Sequence, residues 1–198
     1  PLAAAESAKL GAHQQAAAHL AIALKYVDQA PKELAAQLYE SWAYEAGVAL
    51  RIDESIIAAR HRAIAIWREV GRREKVGLNL RWVARLHWYR GETQQADNFV
   101  EEAIRELEVL PPGPELAMVY GARAQLHMLN DRFEDAISWG RRAIALAQEL
   151  GEVETRVHAL NTIGAALYLA DLPGGREHLE ESLSLALRHG FHEQAARA

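Results

Sequence analysis

The chain is predicted to be all-α, a right-handed superhelix (solenoid) of stacked antiparallel helix pairs with a period of 40 residues. Three observations carry this reading. Ala16, Ile56, Ala96 and Ala136 are evenly spaced at 40, and Gly175 follows 39 later. Seven positions on, Ala23, Ala63, Ala103, Ala143 and Ser182 repeat those spacings, each followed by a larger aliphatic: Leu24, Ile64, Ile104, Ile144 and Leu183. Helix breakers recur in step with both series. A fixed period between about 20 and 50 residues marks stacked repeats, in which each unit contacts only its neighbours.

Each repeat resolves into two helices. The first helices (A) are expected at about 2–10, 32–49, 73–90, 114–129 and 153–170, and the second (B) at about 13–28, 53–70, 92–109, 132–150 and 173–189. Ala30-Pro31, Gly71, Pro111-Pro112-Gly113-Pro114, Gly151 and Gly190 all fall just past a B helix, where Gly and Pro stop helices. Gly11, Gly91 and Asp131 mark the tight A-to-B turn at equivalent positions, with Arg51 in that place in the second repeat. Asp131-x-x-Glu134 has the form of a capping box opening a B helix. Pro173 suits the first turn of the last one. Ala84, Ala124 and Gly164 supply a small residue at 40-residue spacing where A must approach its neighbours; Leu38, Leu78 and Met118 fill a larger layer. The repeats therefore run at about 1–30, 31–71, 72–112, 113–151 and 152–190, forming one helical-repeat domain over 1–198, and 191–198 reads as the start of a sixth unit.

Composition narrows the function. Half of the 198 residues are hydrophobic and a quarter are charged, which suits packed helices rather than disorder. A formal net charge of -5 leaves no basic footprint for direct nucleic-acid contact. The absence of cysteine excludes disulfides, thiolate zinc sites and cysteine nucleophiles, and fits a reducing, cytoplasmic setting. No apolar run approaches the ~18 residues of a membrane span. The opening Pro1-Leu2-Ala3 carries neither initiator Met nor signal sequence, so the chain reads as a piece of a longer protein.

The B-helix pattern small-x3-large-x2-Ala resembles the tetratricopeptide repeat. It stands as Ala16…Leu20…Ala23 and Ala96…Val100…Ala103, with a weaker form at Ala136…Gly140…Ala143. Departures are Arg60 and Gly140 at the large position, and Gly175 and Ser182, at the small and Ala positions, in the fifth unit. Three stretches resemble the helical region of large ATP-binding LuxR-family transcriptional regulators. These are Ala159-Leu160-Asn161-Thr162-Ile163-Gly164, the run Ile137-Ser138-Trp139-Gly140-Arg141-Arg142-Ala143-Ile144-Ala145-Leu146-Ala147, and Leu179-Glu180-Glu181-Ser182-Leu183. That resemblance implies a bacterial sensor and relay segment, active in signal transduction and transcription regulation, between an ATPase module and a DNA reader. This stretch itself holds no phosphate-loop motif.

The inner edge of such a stack is lined by A helices and forms an extended binding surface. The repeat register points Glu45, Arg81, Arg85, Trp88, Tyr89, Gln125, Met128, Asn161, Ala165 and Tyr168 toward it. Trp88 and Tyr89 supply rigid contact area, and Arg81 and Arg85 can hold a carboxylate or other anion. The expected occupant is a protein partner or small effector; ordinary solvated surface is the alternative, with Glu45 pairing across to Arg85, 40 residues on. Arg123 stands where other repeats carry Ala43, Val83 and Ile163, and needs a partner, with Gly140 leaving it room. A regulatory ion pair is the other reading of it.

His87 and His127 occupy equivalent slots but bring no third ligand, so no metal is expected, and none of the carboxylates suggests a catalytic pair. Trp67 and Trp139 read as core or inter-repeat filler. The functional expectation is a non-catalytic interaction and signal-relay module needing no cofactor. The alternative is a purely structural oligomerisation scaffold, homodimerising through exposed terminal helices.

Overall fold

The computed structural model describes residues 2–49 and 53–198. Among these there are eleven α-helices and no strand. They are α1 (Leu2–Lys9), α2 (His13–Leu24), α3 (Lys32–Val48), α4 (Glu54–Glu69), α5 (Arg73–Tyr89), α6 (Thr93–Leu107), α7 (Pro114–Leu129), α8 (Phe133–Leu150), α9 (Val153–Leu169), α10 (Gly175–His189) and α11 (His192–Arg197). Odd-numbered helices are the A helices and even-numbered ones the B helices. The protein is an all-α stack of antiparallel helix pairs of tetratricopeptide-like type. No helix among the described residues is long and apolar enough to cross a membrane.

The helices cluster into two compact units, Pro1–Phe99 and Val100–Ala198, and the division falls inside α6 rather than in a loop. In the first unit α1 packs on α2, α2 on α3, α3 on α4 and α4 on α5. In the second, α7 packs on both α8 and α9, α8 on α9, α9 on α10, and α11 on α9 and α10. The repeat register explains the packing. Ala16, Ile56 and Ala96 are buried in the first unit, as are Ala136 and Gly175 in the second. The companion series Ala63, Ala103, Ala143 and Ser182 is equally buried. Ala23 is half-buried and packs beside the cluster of Ala4, Leu20 and Leu38.

The turns show why the breakers recur. Gly11 and Gly91 hold φ of 71° and 76°, and Asp131 and Asp171 hold 56° and 54° at the same repeat position. This is left-handed backbone, which glycine adopts without a steric cost and Asp tolerates through local hydrogen bonding. Arg51, expected in the same turn, lies outside the described residues. The capping-box reading of Asp131 does not hold. Asp131 is the left-handed turn residue, and α8 begins after Arg132, which makes no side-chain cap. A side-chain cap is found instead on α4, where Asp53 accepts from the Ser55 N–H at 3.0 Å.

Two further boundaries differ from expectation. α2 ends at Leu24 and a 3₁₀ turn, Val27–Gln29, covers the rest. α10 starts at Gly175 after left-handed Gly174, so Pro173 lies before the helix. The cause is a backbone-to-backbone crossing. A Cβ on Gly175 would stand 2.8 Å from the Tyr168 nitrogen, and one on Gly164 would stand 2.9 Å from the Gly175 carbonyl. Only glycine lets α9 and α10 approach so closely, and the helix begins where that contact begins.

Candidate functional site

In the first unit the α5 sequence Arg81-Trp82-x-x-Arg85-x-x-Trp88-Tyr89 puts aromatic and cationic groups one turn apart on one face. Trp82 is the hub. The guanidinium carbons of Arg81, Arg85 and Arg60 lie 4.8, 5.6 and 5.3 Å from its ring centroid. Tyr44 of α3 meets the indole edge-on, at 5.9 Å between centroids and 80° between planes. Arg85 also lies over Tyr89 at 5.4 Å, and its Nε donates to the Tyr89 hydroxyl at 2.9 Å. Trp88 abuts Tyr89 in a T-shaped contact with centroids 5.3 Å apart. Each cation over an indole contributes about 0.5–2 kcal/mol, more as the pair is desolvated. Tyr44 and Tyr89 remain 45% and 47% exposed, so the cluster opens to solvent.

Beneath it runs a buried polar network joining α3, α4 and α5. Arg60 is only 5% exposed; its Nη1 donates to the Asn79 side-chain carbonyl at 3.0 Å. Asn79 in turn donates to Glu40 and to the Lys75 carbonyl, and the Trp67 indole N–H reaches Glu40 at 2.7 Å. Burial pulls the Arg60 guanidinium down to a pKa of about 10, the charge of Glu40 working the other way, so it is cationic at neutral pH. Its Nε is buried and finds no acceptor among the described residues. A tetratricopeptide-type large apolar position is thus filled by a cation whose head reaches Trp82.

Glu45 does not line this face. It is buried and accepts from His13 Nδ1 of α2 at 2.7 Å, because α2 packs directly over α3 there. Of the residues named for the first unit, Arg81, Arg85, Trp88 and Tyr89 come together. Trp82, Tyr44 and Arg60 join them without having been named for the site. A signal for Trp82 existed: Trp42 and Trp82 are 40 apart, in equivalent slots of α3 and α5.

In the second unit the candidates separate. Asn161 is buried, with its amide nitrogen lacking an acceptor among the described residues. Met128 packs against the core of Ala136, Ile137, Ile163 and Ala166, where its flexible side chain fills the gap. Gln125 and Ala165 are half-buried, and Tyr168 is 71% exposed. The second unit carries its own arginine–aromatic group. Arg142 lies 4.2 Å from the Tyr120 centroid and 4.1 Å from that of Trp139. It donates to the Tyr120 hydroxyl at 2.9 Å and to Glu108 at 3.1 Å, and Tyr120 donates to Glu108 at 2.8 Å. Burial, followed by the hydrogen bond to Glu108, raises the Tyr120 pKa.

Arg123 is buried and donates from Nη2 to Glu101 at 3.0 Å. Gly140 does not make room for it; a Cβ there would meet Ile163 Cγ1 at 2.5 Å, so that space belongs to Ile163. His87 stacks on Phe99 at 5.0 Å and bonds Glu92 through Nδ1, while His127 lies 3.7 Å from Asp135. No three His, Asp or Glu side chains converge as a metal-binding group among the described residues. Trp67 is core, as expected from its B-helix position.

The fold has close structural counterparts. BtubC (BKLC) from P. vanneervenii superposes with a TM-score of 0.75 at 18% identity, covering 94% of this chain and 78% of that one. A kinesin light chain from Podospora anserina, described as having nearly identical TPR-like repeats, gives 0.71 at 15%, covering 94% and 92%. A signal transduction ATPase with numerous domains and a tetratricopeptide repeat sensor, from Pyrococcus horikoshii, gives 0.73 at 16%. That match covers 98% of this chain and 30% of the other. No protein-family model matches the sequence, and neither does any curated protein. The likeness establishes a tetratricopeptide-like repeat fold.

Proposed function

We propose that the chain is a non-catalytic interaction and signal-relay module, cytoplasmic, and part of a LuxR-type ATP-binding regulator. The observation that carries the reading is the open face of α5, where three guanidinium groups gather on Trp82 between exposed Tyr44 and Tyr89. Aromatic and arginine side chains of this kind concentrate binding energy at protein interfaces. The sequence likeness to LuxR-family helical regions supports the regulatory setting, as does the fold shared with part of a Pyrococcus horikoshii signal transduction ATPase that carries a tetratricopeptide repeat sensor. The role would be relay: a partner or effector that prefers one arrangement of the stacked helices biases whatever is attached to them, and one without such a preference shifts nothing.

Replacing Arg85 and Trp88 together should abolish partner or effector binding while helix content by circular dichroism stays intact. Unchanged binding removes the face from the reading. A structural scaffold is the second reading, favoured by the exposed Leu183 and Leu187 one turn apart on α10. Sedimentation over a range of concentrations separates the two. A monomer that binds a partner through α5 supports the module, and a concentration-dependent dimer lost on Leu187→Glu supports the scaffold.

A further inference from the structure

In the second unit α11 is joined to α10 through Gly190, whose φ of 72° is left-handed. Apolar and polar contacts hold it down. Phe191 and Ala195 pack against the cluster of Val157, Leu160, Leu185 and Ala186, and Gln194 is buried. Arg197 Nη1 donates to His158 Nδ1 of α9 at 2.8 Å, and to Gln194 Oε1 of its own helix at 3.2 Å. A helix of six residues has little stability of its own, so α11 keeps its shape through this docking.

The Arg197–His158 bond has only one sense. A guanidinium has no acceptor and stays charged, so the imidazole must offer a lone pair at Nδ1 and carry its proton at Nε2. A second proton removes that lone pair and sets two cations against each other. The charged groups of the surrounding helices do not restore the bond. Glu154 stands one turn before His158 on α9, and Glu193 one turn before Arg197 on α11. A carboxylate at either place softens the repulsion but gives the ring no acceptor. On α10, Glu181 is taken by Arg156 at 2.5 Å, and His189 is stacked on Phe191 with centroids 5.7 Å apart. On α7, Arg123 is held by Glu101, and the backbone at Gly121 seats the ring: a Cβ there would stand 3.2 Å from His158 Cδ2. α8 meets α9 through Ile137 and Ile144.

We propose that His158 and Arg197 form a proton-operated latch. The neutral imidazole holds α11 on α9, and the imidazolium releases it, uncovering Val157, Leu160, Leu185 and Ala186 in the second unit. Only the neutral ring accepts from Arg197, so the docked form binds the proton less tightly than the released form. Docking is therefore complete above the ordinary imidazole value, pH ~6.5, and weakens as pH falls below it.

NMR of the full chain between pH ~8 and ~5 tests this. The His158 ring signal and the backbone amides of Ala195, Ala196 and Arg197 should titrate with one midpoint, the amides moving toward coil values on the acid side. The docking equilibrium should fall by about tenfold, the scale of one hydrogen bond to a charged group. In Arg197→Gln the His158 midpoint should rise and the α11 amides should stop following it. His158→Gln keeps an acceptor that does not titrate, so α11 should stay docked across the whole range. His189→Gln and His192→Gln should leave the transition in place. The inference is overturned if the α11 amides ignore pH, or if they respond as strongly in His158→Gln as in the parent. It is overturned equally if their midpoint belongs to His189 or His192, or if Arg197→Gln leaves the His158 midpoint where it was. Should His158→Gln fail to fold, Arg197→Gln decides alone, since Arg197 lies at the half-buried end of α11.

Discussion

In the first unit α3, α4 and α5 are tied by side chains that carry charge, Glu40 to Trp67 and Asn79, and Asn79 to Arg60. In the second, α9 and α10 meet through bare backbone at Gly164 and Gly175. The arginine–aromatic groups differ in the same sense. Arg142 lies over both Tyr120 and Trp139, whose rings touch each other, and meets its counter-charge in Glu108. Trp82 collects three guanidinium groups on one ring. One repeat plan thus yields a unit in which two helices meet backbone to backbone, and a unit tied by polar side chains with three guanidinium groups gathered on one ring. A fold built from equivalent slots allows this because each slot asks only for volume and a hydrogen-bonding account, which different residues can satisfy.

Four substitutions bear on that contrast. The largest effect is expected from Glu40→Ala, which removes the acceptor of Trp67 and Asn79 and the charge opposite buried Arg60. Leaving a buried cation uncompensated should cost about 3–5 kcal/mol in urea unfolding. A loss below 1 kcal/mol would mean the network does not hold the first unit. Gly175→Ala should cost about 1–3 kcal/mol, because the new methyl meets the Tyr168 backbone, which cannot rotate away.

Tyr120→Phe should cost about 1 kcal/mol near neutral pH through the lost hydrogen bond to Glu108. It also carries a pH signature. The Tyr120 pKa is raised on folding, so the folded state binds the proton more tightly than the unfolded one. That contribution is fully present below the ordinary tyrosine value near 10 and is lost as pH climbs through the raised folded value. Stability against pH should therefore fall less steeply above pH ~10 in Tyr120→Phe than in the parent. Identical slopes would break the assignment. The smallest change is a gain. Gly47 near the end of α3 has open space where a Cβ would stand, so Gly47→Ala should add up to ~1 kcal/mol.

Most of the architecture was legible because it is periodic. The Ala16 series and, apart from half-buried Ala23, its companion series return to buried positions, and helix ends fall within a few residues of the breakers. What the pattern missed was set by close approach or by long-range partners. Asp131 looked like a cap because Glu134 follows three residues later, but the turn needed a left-handed residue at that place. Pro173 looked like a helix start because nothing local announces the Gly164–Gly175 crossing. At the site, Arg81, Arg85, Trp88 and Tyr89 were readable from α5 alone. Asn161 and Met128 share their register, yet α9 is covered by its neighbours and Met128 reaches the core. Glu45 was placed by His13, 32 residues earlier, a pairing no spacing rule indicates. Arg60 stood out as a charged residue in an apolar slot, but its link to Trp82 appears only once α4 and α5 are side by side.

Trp82 also makes the protein its own optical probe. Its excited state is tuned by the charges resting on the ring, so any molecule that draws the arginines toward their edges alters the colour and yield of its emission. The chain holds five tryptophans. A version retaining Trp82 alone, with the others replaced by phenylalanine where packing allows, would report occupancy of the α5 face directly, without dye or label.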